Sequence, residues 1–374
     1  MGHETEPRPL IVALARHYGG VDVRVRDTAR FLTKEGWTYG VATLRDSPLH
    51  KALQAEKLSV YPLDHARGDP RISMELIRVG RSIGANILDA HNMQSQYWGA
   101  LAAVRGGIRG RLASVHSIYR DIHKTQPRRA IHEGALQICR TAGFHFLAVS
   151  PLVASYLEEF KIPPAHLHTI LNGMPDLEAA PVRLDIRGQH GWPRESFLVA
   201  AIGRLEKEKG LQSLVKAIGL VRDRGRCDVR LLVIGRGRQE AELIDMVSAG
   251  QLGNHIQFLG FRSDTEALLA SVDAVCMPSL TEGMPYTAME ACRQGVPSIC
   301  SRVGGLARML EDRRTTLFVP PSDPARLADA LTELCGDEAL RHTLSLEGRA
   351  LFESDFRVER MTRETAKLYM NLVS

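Results

Sequence analysis

The stretch Val272-Asp273-Ala274-Val275-Cys276-Met277-Pro278-Ser279-Leu280-Thr281-Glu282-Gly283-Met284-Pro285-Tyr286-Thr287-Ala288-Met289-Glu290 decides the architecture. Its apolar start, 272–277, reads as a strand. Its end, 286–293, reads as a helix, and a glycine–proline turn joins the two. Glu282 therefore falls on a strand-to-helix loop, and Glu290 lies inside the helix, at roughly 3.6 residues per turn. Gly283 lets backbone approach a ligand closely. Pro285 suits a first helical turn, where its missing N–H costs nothing. Amides at that helix start point toward any anion docked there.

The same unit recurs along the chain. Strands are expected at 10–15, 38–44, 59–63, 86–90, 111–116, 144–149 and 167–171, and again at 197–202, 229–234, 255–259, 272–277, 296–300 and 316–319. Helical patterns lie between most of them, for example at 23–35, 151–160, 211–224 and 324–335. This alternation calls for parallel sheets wrapped by helices. The array restarts after 174–193, a polar stretch with three prolines. The expected class is α/β: two Rossmann-like, doubly wound parallel-sheet domains facing across a cleft. The expected division is 1–175, a linker at 176–194, 195–355, and a last helix within 356–374 whose return to the first domain periodicity leaves open. In such sheets ligands bind beyond the carboxyl ends of the strands.

Composition excludes several classes. Of 374 residues, 44% are hydrophobic and 24% charged, which is ordinary for a globular chain. The apolar runs are strand-sized, well short of the ~20 residues of a membrane span. The N-terminus is polar and lacks a signal peptide's apolar region, so a cytoplasmic location is expected. The six cysteines show no Cys-x-x-Cys and read as buried thiols. Residues 1–170 carry 22 Lys+Arg against 15 Asp+Glu. The excess concentrates at 105–129, in Arg105, Arg109, Arg111, Arg120, Lys124, Arg128 and Arg129. That stretch is either a solvated face or the footprint of an anionic partner. A membrane surface fits better than nucleic acid, because Tyr119 is the only aromatic among the cations.

Several loops at strand ends carry candidate chemistry. Gly203-Arg204-Leu205-Glu206-Lys207-Glu208-Lys209-Gly210 follows a strand and opens a helix. Arg204 can fork two phosphate oxygens and Lys209 supplies a mobile point charge. Gly19-Gly20 is either a tight turn or a phosphate-facing one. Gly235, in Ile234-Gly235-Arg236-Gly237, either packs as a turn or borders a nucleotide. Gly260-Phe261 ends a strand with backbone groups that could meet a base edge. His91 and His116 sit at strand ends; each is either a hydrogen-bonded loop histidine or faces the cleft. No metal constellation stands out: there is no Asp-x-Asp at a strand end, and His166 and His168 lie at the start of a strand. A carboxylate at the mouth, a row of amides and a second carboxylate below suit a ligand with phosphates in the middle and hydroxyls at both ends, as in a nucleotide sugar.

These landmarks together resemble the family 4 glycosyltransferases, which have the GT-B fold, retain anomeric configuration and use nucleotide sugars. The resemblance rests on Gly19-Gly20, Asp89-Ala90-His91, Val115-His116-Ser117, Ala148-Val149-Ser150, Leu171-Asn172-Gly173, Gly203-Arg204-Leu205…Lys209-Gly210, Phe258-Leu259-Gly260 and Ser279…Glu282-Gly283-Met284-Pro285…Glu290-Ala291…Gly295-Val296-Pro297. It implies that Arg204 and Lys209 hold a donor diphosphate, that Glu290 binds ribose hydroxyls, and that Glu282 with the amides of Gly283, Met284 and Tyr286 holds the sugar. Pro285 and Thr287 complete that donor wall, with Gly235, Gly260 and Phe261 on the nucleotide side. Gly20, beside Gly19, would close over the phosphate. His116 would line the reacting centre with Glu282, and His91, Asn92 and Arg120 would serve the acceptor.

The resemblance further implies no tightly bound cofactor and no required metal, a hexosyl-type sugar as cargo, and a glycan or lipid-linked acceptor in polysaccharide or glycolipid synthesis. The chain would work without nucleic acid, in the cytoplasm or on its membrane face. Three positions depart from the family pattern: Asp22 stands where Glu is common, Met174-Pro175 intervenes before Asp176, and 316–321 reads Thr-Leu-Phe-Val-Pro-Pro. Two other readings keep the fold, namely a nucleotide-sugar epimerase or phosphorylase, and a non-catalytic nucleotide-sugar-binding subunit.

Overall fold

The computed structural model describes residues 6–16, 19–118 and 126–374. The chain divides into two compact units, Met1–Gly173 together with Val358–Ser374, and Met174–Arg357. Each is built on one parallel sheet.

The first unit's sheet comprises β1 (Pro9–Ala13), β2 (Gly40–Leu44), β3 (Val60–Leu63), β4 (Ile87–His91), β5 (Gly110–Val115), β6 (His145–Ala148) and β7 (Leu167–Thr169), in the order β3-β2-β1-β4-β5-β6-β7. The second unit holds β8 (Phe197–Ile202), β9 (Val229–Ile234), β10 (Ile256–Gly260), β11 (Ala274–Met277), β12 (Ser298–Ser301) and β13 (Leu317–Val319), in the order β10-β9-β8-β11-β12-β13. Each expected strand is present, with ends shifted by a few residues. Central strands such as β1 and β11 are buried along their whole length. Helices cover both faces of such sheets, so their strands read as continuous apolar runs.

Strand order reverses between β1 and β4, and again between β8 and β11. At such a switch point the two flanking helices leave in opposite directions and open a crevice beyond the carboxyl ends. Every loop singled out above, from Gly19-Gly20 to Glu282, follows the carboxyl end of a strand.

The closing helix, Val358–Val373, belongs to the first unit, where Met361, Leu368 and Tyr369 join the core. Burying each such side chain contributes roughly 1.5–3 kcal/mol. The 176–194 stretch, read above as a linker, carries the short helix Ile186–Gln189, and its Ile186 and Trp192 pack against Leu198 and Leu232. Among the described residues no helix is long and apolar enough to cross a membrane.

Candidate functional site

In the second unit the loops after β8 and β11 meet at the switch point. They line one pocket, whose polar wall is Arg204, Lys209, Ser279, Glu282 and Thr287. Close backbone approaches hold the loops together. Leu280 donates its amide to the Glu208 carbonyl at 2.8 Å. Gly210 has φ +64°, and a Cβ there would lie 2.1 Å from the Pro278 carbonyl oxygen, so no side chain fits. Gly235 is a packing turn: a Cβ on it would meet the Gly203 oxygen at 1.8 Å.

Lys209 Nζ lies 2.6 Å from Glu282 Oε1, and Ser279 Oγ donates to the same oxygen at 2.7 Å. The Glu282 side chain is 9% exposed and that of Lys209 24%. Arg204 pairs with Glu208 at 3.1 Å and is 72% exposed, so its guanidinium can swing to a ligand at little cost. Gly283 has nothing within 4 Å of a built Cβ, and its amide and that of Met284 have no acceptor among the described residues. Gly305 donates to the Glu282 carbonyl at 2.8 Å and fixes this turn from below.

Pro285 occupies the cap position of the helix Tyr286–Gln294, not its first turn. Its ψ of 129° is extended, and a helix cannot begin until that torsion changes. Thr287 donates its hydroxyl to the Ile202 carbonyl at 3.4 Å and ties the helix to β8. Glu290 lies half-buried one turn further on. Burial pushes its carboxyl above the ordinary value; Arg293 opposes that rise and Glu266 adds to it.

Backbone hydrogen bonds link the ends of β8, β9 and β10 in series, Gly203 N–H to Ile234 O at 2.9 Å and Gly235 N–H to Gly260 O at 2.8 Å. Strands lie about 4.8 Å apart, so Gly260 stands about 10 Å along the rim from β8. Phe261 beside it is 75% exposed.

In the first unit the loop after β1 leads into the helix Gly20–Lys34. Gly19 donates its amide to Asp22 Oδ2 at 2.9 Å, closing a capping box, and a Cβ on Gly19 would touch nothing within 4 Å. Asp22, where the family pattern commonly has Glu, thus makes this cap. Burial raises its carboxyl, and its Oδ1 has no hydrogen-bond partner among the described residues. His91 ends β4 and His116 follows β5, and their rings are bonded, Nδ1 to Nε2, at 2.9 Å. Asn92 has φ +71° and caps the helix Met93–Gly106, its Oδ1 accepting from the Ser95 amide. Arg120 lies outside the described residues, as do Tyr119, Asp121 and Lys124.

Comparison with known proteins agrees with this geometry. Residues 18–176 match the family described as Glycosyltransferase Family 4, and residues 182–351 match Glycosyl transferases group 1. Together these cover most of the chain. It belongs to the family 4 glycosyltransferases.

Within this family, the chain is 28% identical over 386 residues to a D-inositol 3-phosphate glycosyltransferase of Arthrobacter sp. (strain FB24), covering 94% of this chain and 90% of that one. It is 32% identical over 171 residues to a glycogen synthase of Mycobacterium tuberculosis (strain ATCC 25618 / H37Rv), covering 45% of this chain and 41% of that one. Against several curated relatives of this kind the match spans only about two-fifths of their length. Among solved structures, Anabaena Alr3699/HepE in complex with UDP superposes with a TM-score of 0.84 at 19% identity, over 96% of this chain and 98% of that one. The fold is therefore GT-B, as the resemblance implied.

Sequence reasoning set the Lys209 loop beside the Glu282 loop but missed the direct ion pair between them, because 73 residues separate the two. It also missed Ser279 as the second donor to Glu282. Asp89, which His91 touches, was quoted only as a landmark; its i, i+2 spacing from His91 puts both on one face of β4 and could have revealed it.

Proposed function

We propose that this chain transfers a hexosyl-type sugar from a nucleotide-diphosphate sugar to a glycan or lipid-linked acceptor, with retention and without a metal ion. One observation carries the reading: Lys209, Arg204 and the Glu282 turn line a single pocket at the β8/β11 switch point. Glycosyl transfer builds negative charge on the departing diphosphate and positive charge on the sugar. Lys209 and the Gly283 and Met284 amides are preorganised donors for the first, Arg204 can swing in to join them, and the Glu282 carboxylate suits a sugar hydroxyl or the developing cation.

The residue assignments follow from this layout. Glu290, half-buried and lacking a hydrogen-bond partner among the described residues, accepts the ribose hydroxyls. Gly260 and Phe261, farther along the rim, border the base. By the family resemblance, the first unit's Gly19–Gly20 turn would meet the phosphate, His116 the reacting sugar and Asn92 the acceptor; His91, expected on the acceptor side, is buried with both ring nitrogens engaged and does not reach it. The diphosphate takes the acceptor's proton as attack occurs on the face it leaves. UDP and UDP-glucose complexes of the Anabaena protein, which has the same fold, support a nucleotide sugar as donor.

The acceptor reading turns toward membranes at Arg105 and Arg109, which are exposed beside Val104, itself 52% exposed. Arg111 is not available for this, because it donates to the Ile108 and Ala142 carbonyls. Each cation near an anionic lipid surface is worth roughly 1 kcal/mol. Charge reversal at Arg105 and Arg109 reduces co-sedimentation with phosphatidylglycerol vesicles, and unchanged sedimentation refutes this part.

The central test is a thermal-shift panel of nucleotide diphosphates and nucleotide sugars, followed by donor turnover in EDTA. A ligand at 100-fold its Kd stabilises by about 2.7 kcal/mol. Silence across the panel overturns the reading. Turnover without any added acceptor favours an epimerase or phosphorylase.

A further inference from the structure

The first unit contains a buried polar chain of which the assignments above use only the outer end, His116. Tyr369, on the last helix, donates its hydroxyl to Asp89 Oδ2 at 2.7 Å. Ser114, on β5, donates to Asp89 Oδ1 at 2.8 Å. His91 Nε2 lies 3.2 Å from Asp89 Oδ2, and His91 Nδ1 lies 2.9 Å from His116 Nε2. Tyr369, Ser114, Asp89 and His91 are all buried, while His116 is only half-buried. The chain therefore starts in the core and ends at the one ring that reaches the surface of the unit.

Register explains the alignment. His91 pairs with Ser114 across β4 and β5, so Asp89, His91, Ser114 and His116 alternate onto one face. The helix Val358–Val373 covers that face and brings Tyr369. From the helix Gly20–Lys34, Asp22 and Arg24 bring their charges to the same place. Arg24 reaches Asn172 Oδ1 at 2.9 Å and Thr365 Oγ1 at 3.3 Å, and the Asp22 carboxyl lies within electrostatic reach of His91. Burial pushes Asp89 up, but His91, Tyr369 and Ser114 together outweigh it and keep the carboxyl below its ordinary value. Burial above all, with the Arg24 guanidinium adding to it, holds the His116 ring well below the ordinary histidine value.

The hydrogen-bond inventory gives the chain a direction. An ionised carboxylate only accepts, so His91 carries its proton on Nε2. Taken as a neutral ring, His91 donates at one nitrogen and accepts at the other. His91 Nδ1 then accepts from His116 Nε2–H, and His116 is left with a bare Nδ1. We propose that Asp89 is a positioning residue: through His91 it fixes the polarity of His116, which presents Nδ1 as an acceptor for a sugar hydroxyl. This rests on the reading of His116 as the residue that meets the sugar. It predicts that His116 orients a hydroxyl and does not deliver a proton.

The test is nitrogen NMR on the full chain labelled at histidine, at pH 8, with His116 assigned through His116→Asn. The expected pattern is a protonated Nε2 and a bare Nδ1 on His116. A protonated Nδ1, as a cationic His91 would impose, overturns the proposal without any variant. Asp89→Asn can turn its amide N–H toward His91 and reverse the chain, so His116 becomes protonated at Nδ1. Tyr369→Phe keeps the carboxylate as acceptor and leaves the pattern intact. With the donor found by the panel, Asp89→Asn lowers kcat/KM at least 10-fold, while Tyr369→Phe stays within about 3-fold. Inversion of the ring without loss of kcat/KM refutes the positioning role. If the unaltered chain transfers no sugar, the function proposed above fails, and the NMR pattern still decides the polarity.

Discussion

Lys209 and Glu282, brought together from the ends of two adjacent strands, share an ion pair of 2.6 Å at the floor of the pocket. A carboxylate held against an ammonium cannot turn away, and Ser279 leaves it a single orientation. The pair sets where cation and carboxylate stand before any ligand arrives, so neither has to reorganise during the reaction.

Substituting Lys209 with Met removes the cation and leaves Glu282 with Ser279 alone. We expect kcat/KM to fall by about 10²–10³-fold, the usual cost of losing a preorganised charge-stabilising donor. Arg204→Gln should cost less, because that guanidinium is exposed and its only side-chain partner among the described residues is Glu208. Steady-state kinetics with saturating acceptor separates the two, and equal losses would contradict the ranking.

Glu290→Gln tests the ribose assignment. The change removes a charged acceptor, worth about 1.5–3 kcal/mol in a hydrogen bond. The donor KM should rise by about 10–100-fold with kcat nearly unchanged, since the ribose does not change during the reaction. Because burial raises the Glu290 carboxyl, donor affinity should weaken at a higher pH than an ordinary glutamate would dictate, as the group takes up its proton.

Two glycines, Gly283 in the Glu282 turn and Gly305 packed against it, should behave in opposite ways. In Gly305→Ala the new Cβ would lie 1.4 Å from the Gly283 carbonyl, so the turn must move and both Tm and activity drop. Gly283→Ala meets nothing within 4 Å, and its stability should stay within about 0.5 kcal/mol of the parent. If Gly283 is where a diphosphate approaches, the same change still raises the donor KM. An unaltered KM would place the ligand elsewhere.

Acid stability should reflect a histidine cluster at the sheet edge. His145 Nδ1 and His168 Nε2 are 3.0 Å apart, and the His145 and His166 rings stack with centroids at 4.1 Å. Burial, with His166 and His168 adding to it, lowers His145 from 6.5 to about 4. The folded value lies below the unfolded one, so the unfolded chain takes the proton first. Stability is then full above about pH 6.5 and falls as pH drops toward about 4. His145→Gln should flatten that limb in urea unfolding series.

The strands and their parallel arrangement were legible because buried parallel strands need unbroken apolar runs, and β1 and β11 supply them. The Glu282 loop was legible because glycine and proline punctuate it. Contacts across long separations were not. Tyr369 meets Asp89 across 280 residues, and nothing in the local pattern of the last helix marks that tyrosine from its neighbours. Pro285 was placed one position too far into its helix, because proline suits both the cap and the first turn.

The return of Val358–Val373 to the first unit has a consequence for biosynthesis. The N-terminal half of a nascent chain leaves the ribosome long before the segment that carries Tyr369, so Asp89 waits with one donor missing until that helix emerges. A truncation after Gly173 would expose the apolar seat of Met361 and Leu368. A circular permutant that joins residue 374 to residue 6 and opens in the 174–193 loop should assemble this unit from one continuous polypeptide.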